Sequence, residues 1–177
     1  YKDDLIKLIN HFFKYLTSKT KEYKSDFNYA VYVVIGTIPV GIIGYLFKDK
    51  IESILSNTKI IGISFLITAL FLFLVKNIKG NKIDKDLTLK DSIFIGIVET
   101  IALIPGISRS GSTLIAGLFR KLDTTTALKY SFMLYIPISV GTTILGIKDI
   151  LTITDIHNII LPYGLGFIAS FNTLTRF

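Results

Sequence analysis

Cysteine is absent from this sequence, and charged residues are few. Without cysteine the chain can form neither a disulfide nor a thiolate metal site, although its compartment is left open. Of the 177 residues, 19% are charged and 50% are hydrophobic, whereas soluble domains carry about a quarter charged residues. The mean hydropathy is +0.57. These values indicate a protein that places much of its apolar surface in a membrane.

Four long stretches lack aspartate, glutamate, lysine and arginine altogether. A helix needs about 20 mostly apolar residues to cross a bilayer, and these stretches approach or reach that length. The second is slightly short, but Lys59 and Lys76 at its ends can extend to the interface. Helices buried in a large soluble protein are the alternative, which four such runs in one short chain disfavour. The predicted membrane-spanning segments are 28–47, 60–75, 130–147 and 157–175.

The basic residues indicate how these segments are oriented. If the runs cross alternately and residues 92–119 enter and leave by one face, fourteen lysines and arginines fall on that face and four on the opposite one. Membrane proteins concentrate Lys and Arg in cytoplasmic loops, so the fourteen mark the cytoplasmic side. The net charge of +7 is therefore a topology signal, and nucleic acid is not an expected partner.

Polar or amphipathic segments flank the spans. Residues 1–27 repeat apolar side chains at helical spacing between lysines. This pattern predicts a basic amphipathic helix at the membrane surface, or the end of a span that begins upstream. Residues 76–91 are a predicted polar loop with a Gly-Asn turn signal. Because the chain starts at Tyr1 and stops just after an apolar run, we expect it to be a piece of a longer protein.

One apolar stretch, residues 92–119, is interrupted by the polar sequence PGISRSGST. Neither apolar arm is long enough to span a bilayer alone. Pro105 removes a backbone donor and Gly106 permits a turn, so the pair should break the helix. We expect a re-entrant hairpin in which one helix ends near Ile104 and a second begins near residues 108–110. Irregular backbone at this depth persists only when it is buried in protein or lines a cavity that holds water.

The polar sequence has the composition of an anion site. A helix that starts there presents free backbone N–H groups and the positive end of its dipole. Arg109 adds a full charge and a planar set of donors that fits phosphate oxygens. Placing arginine at bilayer depth costs at least about 2.5–3.5 kcal/mol, so a segment without function should avoid it. Hydroxyl groups are added by Ser108, Ser110, Ser112 and Thr113.

Other roles stay open for these residues. Ser112 can equally serve only to bond the preceding turn of its helix. Arg109 can be the structural partner of Glu99 in a buried ion pair. Glu99 can instead bind a divalent cation or act as a base, although a single carboxylate is weak evidence for a metal. The spacing around Ser108 does not match the Gly-x-Ser-x-Gly elbow of soluble hydrolases.

Residues 99–113 (ETIALIPGISRSGST) and 130–137 (YSFMLYIP) together resemble the undecaprenyl-diphosphatase family, also called bacitracin-resistance proteins. The pattern Pro-Gly-x-Ser-Arg-Ser-Gly-x-Thr is highly specific in a membrane context. The apolar layout from about Asn28 to Gly166 also fits, so the resemblance covers most of the chain.

The resemblance implies a bacterial inner-membrane enzyme that hydrolyses undecaprenyl diphosphate to undecaprenyl phosphate and inorganic phosphate. This reaction recycles the lipid carrier of cell-wall synthesis. The implied fold is all-α and integral to the membrane: a multi-pass helical bundle of two inverted repeats, each with a re-entrant helix pair, of which this chain holds about half. A divalent cation, Mg²⁺ or Ca²⁺, is the implied cofactor. The expected partners are a polyprenyl diphosphate lipid and the membrane, and a homodimer is allowed.

The same resemblance assigns the site residues. Arg109 matches the family arginine that holds the diphosphate, and Glu99 matches a position that carries Glu or Gln. Catalytic roles therefore go to Arg109, Ser110 and Glu99, and Glu99 is also the candidate metal ligand. The substrate-binding set is Ser108, Arg109, Ser110, Gly111 and Thr113.

One family motif has no match in the chain. It contains two glutamates and a Ser-Ser-Thr-Gly-His run in the first repeat, and the resemblance assigns the acid–base, metal and nucleophile functions to it. We therefore expect this chain to hold the phosphate-binding half of the site and to hydrolyse nothing alone. A membrane transporter of an anionic or phosphorylated lipid is the alternative, because broken helices that face an anion are also a transporter device. A purely structural membrane subunit is a third reading.

Overall fold

A computed structural model describes residues 2–55, 57–151 and 156–174 of the chain. The chain divides into two compact units, residues 1–139 and residues 140–177. The α-helices of the described residues are α1 Lys2–Ser18, α2 Lys24–Leu46, α3 Lys48–Leu55, α4 Thr58–Val75, α5 Leu89–Glu99, α6 Arg109–Phe119, α7 Thr124–Leu151 and α8 Ile156–Leu174. Shorter 3₁₀-helices cover Lys21–Tyr23, Asp84–Asp86 and Thr100–Leu103. The described residues contain no β-strand, so the prediction of an all-α fold is confirmed for them.

Within the described part of the chain, three helices are long and apolar enough to cross a bilayer, as expected of a membrane protein. They are Lys21–Leu46, Thr58–Val75 and Thr124–Ile147. Each overlaps one of the first three predicted spans. The fourth predicted span, 157–175, overlaps α8, but its last residue lies outside the described residues, and this span stays a prediction.

Helix α4 turns apolar side chains outward and polar side chains inward. Phe65, Leu66 and Phe73 are 62%, 72% and 62% exposed. By contrast, Ser64 and Thr68 on the same helix are buried. Lipid solvates outward-facing apolar side chains well, whereas polar side chains must find partners within the protein. The polar face of α4 is therefore available to contact other polar segments of the chain.

Helices α2 and α5 pack closely because two glycines meet. A Cβ atom on Gly96 would collide with the backbone carbonyl oxygen of Gly36. Next to this contact, the Tyr130 hydroxyl donates to Ser92 Oγ at 2.8 Å and also lies 2.9 Å from the Tyr32 carbonyl oxygen. Small residues at a helix interface let backbones approach, and buried hydroxyls then bond across it. This contact fixes α5 against α2.

Helices α5 and α6 are antiparallel neighbours joined by the interrupted segment. Each has 11 residues, which corresponds to about 16 Å, roughly half of a bilayer core. Arg120 at the end of α6 donates to Asp91 in the first turn of α5 at 2.6 Å. Arg109 at the start of α6 donates to Glu99 at the end of α5 at 2.5 Å. The chain therefore enters and leaves this helix pair at the same end.

The helix break has the predicted position, with one difference. After α5 the chain continues as the 3₁₀-helix Thr100–Leu103 instead of as an α-helix up to Ile104. Ile104 is extended, with φ −71° and ψ 122°, as expected of a residue that precedes proline. Pro105 also lacks the N–H that would continue the helix. Helix α6 begins at Arg109 with Ser108 as its N-cap, within the predicted range.

The predicted polar loop 76–91 ends earlier than expected, because Thr88 caps α5 and the helix begins at Leu89. The Asp91 amide donates to the Thr88 hydroxyl at 3.3 Å, and the Thr88 amide donates to the Asp91 carboxylate at 3.1 Å. This reciprocal arrangement is a capping box. The cap and the ion pair with Arg120 therefore use the same carboxylate.

Helix α1 packs on α2 with one of two apolar faces. Leu5 and Leu8 contact the core cluster of the first unit, and Phe12 stacks on Phe27 at the start of α2 with ring centroids 5.1 Å apart. Ile6 and Phe13 lie on the other face and are exposed. The location of segment 1–27 at the membrane surface stays a prediction.

Candidate functional site

The interrupted segment packs on the polar face of α4. Gly106 has φ +91°, a conformation that L side chains rarely adopt. A Cβ atom there would also lie 2.7 Å from the Ile61 carbonyl oxygen and 3.0 Å from Ser64 Cβ. Two residues later, the Ser108 amide donates to Thr68 Oγ1 at 3.2 Å. Glycine at 106 and hydroxyls on α4 therefore hold the irregular backbone in place.

The first turn of α6 leaves backbone donors at its start. Ser108 Oγ accepts from the Gly111 amide at 3.1 Å, and the Ser112 amide bonds the Ser108 carbonyl at 2.9 Å. The amides of Arg109 and Ser110 precede this first intrahelical bond and point out of the helix end. The Ser110 side chain is exposed and makes no hydrogen bond within the described part of the chain. The first turn of α6 therefore offers two amides, one hydroxyl and the positive end of the helix dipole, which favour an anion.

Two of the predicted hydroxyls already have partners inside the protein. Ser112 Oγ donates to the Ser108 carbonyl at 3.0 Å, which is the plain structural role that the sequence left open. Thr113 Oγ1 lies 2.5 Å from Ser131 Oγ on α7 and also within 3.1 Å of the Arg109 carbonyl. Both side chains are buried. The substrate-binding role of Thr113 stays a prediction, and this geometry favours support of α6 instead.

Arg109 is held by three groups and still offers donors. Its Nε donates to Glu99 Oε1 at 2.5 Å, and one terminal nitrogen, Nη2, lies 3.4 Å from the Leu134 carbonyl oxygen. Its guanidinium lies over the Tyr135 ring, 5.0 Å from the ring centroid. No described residue accepts a hydrogen bond from Nη1. The sequence left two roles open for Arg109, ion pair or anion ligand, and this geometry permits both at once.

Glu99 is a buried carboxylate with only one oxygen in use. The residue is 1% exposed, and its Oε2 has no hydrogen-bond partner among the described residues. A buried acceptor left in this state is destabilising unless a proton, a cation or another donor reaches it. Oε2 therefore fits one ligand position of a cation. Among the described residues, no three His, Asp or Glu side chains lie close enough together to hold a metal ion. These residues therefore do not form a complete cation site.

Asp91, at the opposite end of the α5–α6 pair, is buried and fully bonded. Its Oδ1 accepts from Arg120, and its Oδ2 accepts from Lys82 Nζ at 3.0 Å and from the Thr88 hydroxyl at 2.8 Å. Burial acts to raise the pKa of the Asp91 carboxyl. The hydrogen bonds from Lys82, Thr88 and Arg120 outweigh burial and hold that pKa below its usual value. This end of the pair is therefore closed to a ligand.

Three residues of α7 contact the start of α6, and sequence reasoning assigned them no role. Ser131 forms a hydrogen bond with Thr113. The Leu134 carbonyl accepts from Arg109, and the Tyr135 ring lies under the Arg109 guanidinium. Their spacing of three and four residues places them on one helix face. They fall within the segment YSFMLYIP that carried part of the family resemblance. The sequence pattern therefore marked these residues but did not show which residues they contact.

An apolar cavity of about 240 Å³ adjoins the helix break. Its walls come from α4, α5, α6 and the break, with Phe71, Phe94, Val98 and Ile115 among the side chains that form them. Ile107, two residues before Arg109, also lines it. An apolar space of this kind suits a hydrocarbon chain whose polar end lies at the start of α6.

Comparison with known proteins identifies relatives of this chain. A family model described as bacitracin resistance protein BacA matches residues 1–174. A Bacillus cereus protein named undecaprenyl-diphosphatase 1 is 45% identical over 171 residues, which cover 97% of this chain and 63% of that protein. An Oceanobacillus iheyensis protein named undecaprenyl-diphosphatase is 40% identical over 173 residues, again 97% of this chain and 63% of the relative. The chain thus spans less than two thirds of the length of these relatives.

Proposed function

Since the chain belongs to the bacitracin resistance protein BacA family, we propose that the protein hydrolyses undecaprenyl diphosphate to undecaprenyl phosphate and inorganic phosphate. The reaction returns the lipid carrier to cell-wall synthesis. One observation carries the proposal. The first turn of α6 contains Arg109, two amides without helical partners and the unbonded Ser110 hydroxyl, and it adjoins an apolar cavity. This donor set matches the oxygens of a diphosphate.

Water attacks the terminal phosphorus in the proposed reaction, and the bond between that phosphorus and the bridging oxygen breaks. Undecaprenyl phosphate then leaves. Negative charge spreads over the terminal phosphoryl oxygens and builds on the bridging oxygen. Arg109 and the amides of Arg109 and Ser110 stabilise this charge, because donors that are already held in place need no reorganisation when the charge develops. The family resemblance assigns activation of the water to the first-repeat motif.

Glu99 is proposed to have two tasks at this site. Through Oε1 it orients the Arg109 side chain. Through the unpartnered Oε2 it would supply one ligand to a divalent cation such as Mg²⁺ or Ca²⁺. The bound cation would supply additional charge neutralisation to the diphosphate.

The proposed membrane placement follows from the α5–α6 pair. Both helices are too short to span, and both outer ends meet at Asp91 and Arg120, so we infer that the pair is re-entrant. The family resemblance further implies that this chain holds about half of an inverted-repeat architecture. The distribution of basic residues supports a cytoplasmic position of that end. The bacterial inner membrane is what the family resemblance implies. The start of α6 then faces the opposite side, and the apolar cavity receives the first isoprene units of the lipid.

The test is release of inorganic phosphate from undecaprenyl diphosphate by the purified protein, expressed at the full length of its relatives, with and without Mg²⁺. A transporter is the competing function, since the described residues include an anion site without an assigned nucleophile. The same protein is therefore reconstituted in liposomes. Phosphate release supports the enzyme. Movement of intact lipid diphosphate without phosphate release would reject it in favour of the transporter.

A further inference from the structure

We propose that Tyr135 is a positioning residue that prevents the Arg109 guanidinium from closing onto Glu99, so that its terminal N–H groups remain available to the phosphates. This inference rests on the proposed function, because it concerns the same head-group site. It adds a residue on α7 whose aromatic ring acts through Arg109 and not on the substrate itself.

The ion pair between Arg109 and Glu99 is less closed than its chemistry allows. Arginine and a carboxylate commonly form two parallel hydrogen bonds, which use both carboxylate oxygens. Here only Nε bonds only Oε1, although Glu99 Oε2 is buried and has no other partner. Something must therefore hold the guanidinium away from the second carboxylate oxygen.

Two groups on α7 account for this restraint. The Leu134 carbonyl oxygen lies 3.4 Å from Nη2, which is a long hydrogen bond. The Tyr135 ring lies beneath the guanidinium, with its centroid 5.0 Å from Cζ, within the range of a cation–π interaction. Of the two, the side chain of Tyr135 is the one that substitution can remove.

The exposure of Tyr135 makes the inference testable. The residue is 58% exposed, so its ring fills no core position, and its removal should leave the helices packed as they are. A purely structural residue would be expected to lie deeper. The ring is also close to the Arg109 donors that have no partner, because its centroid lies 5.0 Å from Arg109 Cζ.

Binding of farnesyl diphosphate to the purified 177-residue chain in detergent gives the first test, measured by titration calorimetry. We expect Tyr135→Leu to weaken binding about tenfold, and Tyr135→Phe, which keeps the ring, to bind within about twofold of the wild type. Tyr45→Leu removes a tyrosine that is 75% exposed on α2 and serves as the matched control, with no expected change. Equal affinities for Tyr135→Leu and the wild type would overturn the inference.

A double substitution separates this role from a direct contact between Tyr135 and the phosphates. If Tyr135 acts by keeping Arg109 off the carboxylate, neutralising the carboxylate should remove the need for the ring. Tyr135→Leu should then weaken binding about tenfold in the wild-type background but less than about twofold in the Glu99→Gln background. The same loss in both backgrounds would exclude action through the Glu99 pair.

Nitrogen-15 NMR tests the restraint without any ligand. Arg109, Arg120 and Arg176 are the arginines of the chain, so their Nε–H signals can be assigned with Arg120→Lys and Arg176→Lys. The aromatic ring current should shift the Arg109 signal, and Tyr135→Leu but not Tyr135→Phe should abolish that shift. An unmoved signal overturns the inference. If the wild-type chain shows the ring-current shift of Arg109 but does not bind farnesyl diphosphate, the proposed head-group site is contradicted instead.

Discussion

The α5–α6 pair carries one arginine–carboxylate pair at each end, and the two pairs differ in how completely they are bonded. Asp91 uses both of its oxygens, with Arg120, Lys82 and Thr88 as donors. Glu99 uses one oxygen, and its partner Arg109 keeps donors without acceptors. Both carboxylates are buried, so burial alone does not distinguish them.

The difference separates a structural pair from a functional one. A buried charge that is bonded on all sides stabilises one arrangement and has nothing left for a ligand. A buried pair with an open acceptor and open donors is stable only because the surrounding helices hold it, and a ligand can complete it. The closed pair keeps the outer ends of α5 and α6 together, and the open pair lies where the chain turns between them.

Replacing the arginine of the open pair should have the largest effect. Arg109→Lys keeps the charge but loses the planar set of donors. We expect phosphate release from undecaprenyl diphosphate to fall about 10²–10³-fold with normal expression, the loss that follows removal of a donor to the transition state. Arg120→Lys is the control, since the closed pair should affect stability and leave the rate per folded molecule unchanged. Equal rate losses in both variants would abolish the distinction.

Removing the carboxylate of the closed pair should mainly change the free energy of unfolding. Asp91→Ala leaves Lys82 and Arg120 without a partner and removes half of the capping box. These cations are 30% and 37% exposed, so we expect about 2–3 kcal/mol, less than for a fully buried pair. Unfolding in mixed detergent micelles measures the loss. Farnesyl diphosphate binding by the folded fraction should stay unchanged, and a matching loss of affinity would show that the two ends are not independent.

Lowering the pH should remove the stabilisation that the Asp91 carboxylate provides. The pKa of Asp91 is lowered in the folded protein, so its stabilisation is fully present above its ordinary value of 3.8 and is lost as the pH falls below 3.8 through the lower folded value. Asp91 lies before the predicted membrane segment 92–119. The free energy of unfolding should fall more steeply in this range for the wild type than for Asp91→Asn. Parallel pH curves would contradict the assignment.

The smallest expected effects distinguish two serines of the same helix turn. Ser110→Ala removes an exposed hydroxyl with no partner in the described structure and should weaken farnesyl diphosphate binding about two- to fivefold. Ser112→Ala removes a hydroxyl that bonds its own helix and should leave affinity unchanged, with stability altered by less than about 0.5 kcal/mol. Calorimetry and thermal unfolding measure the two quantities. A larger loss of affinity for Ser112→Ala than for Ser110→Ala would indicate that the ligand binds on the Ser112 side of the turn.

The sequence predicted the features that depend on neighbouring residues. Pro105 and Gly106 break the helix through local backbone geometry, and Ser108 caps α6 because its side chain reaches an amide three residues later. The start of α6 was therefore predictable to within two residues. The pair between Glu99 and Arg109 was one of the alternatives, since a hairpin brings residues ten apart together.

The remaining contacts depend on packing between distant segments. Asp91 and Arg120 are 29 residues apart, and their pairing requires both helices to have the correct length and rotation. The contact of Tyr135 with Arg109 requires the position of α7 relative to α6. Neither periodicity nor composition contains that information, because the same pattern is compatible with several helix rotations.

Because Gly36 and Gly96 are in close contact, the geometry of the proposed site also depends on residues that do not contact a phosphate. Any side chain at Gly96 would push α5 away from α2, and Glu99, less than one turn further along α5, would move with it. Variants at this contact should therefore resemble site variants in an activity screen, although they alter neither charge nor donor. The range of sequences that a phosphate site tolerates is limited here by how closely two backbones can approach.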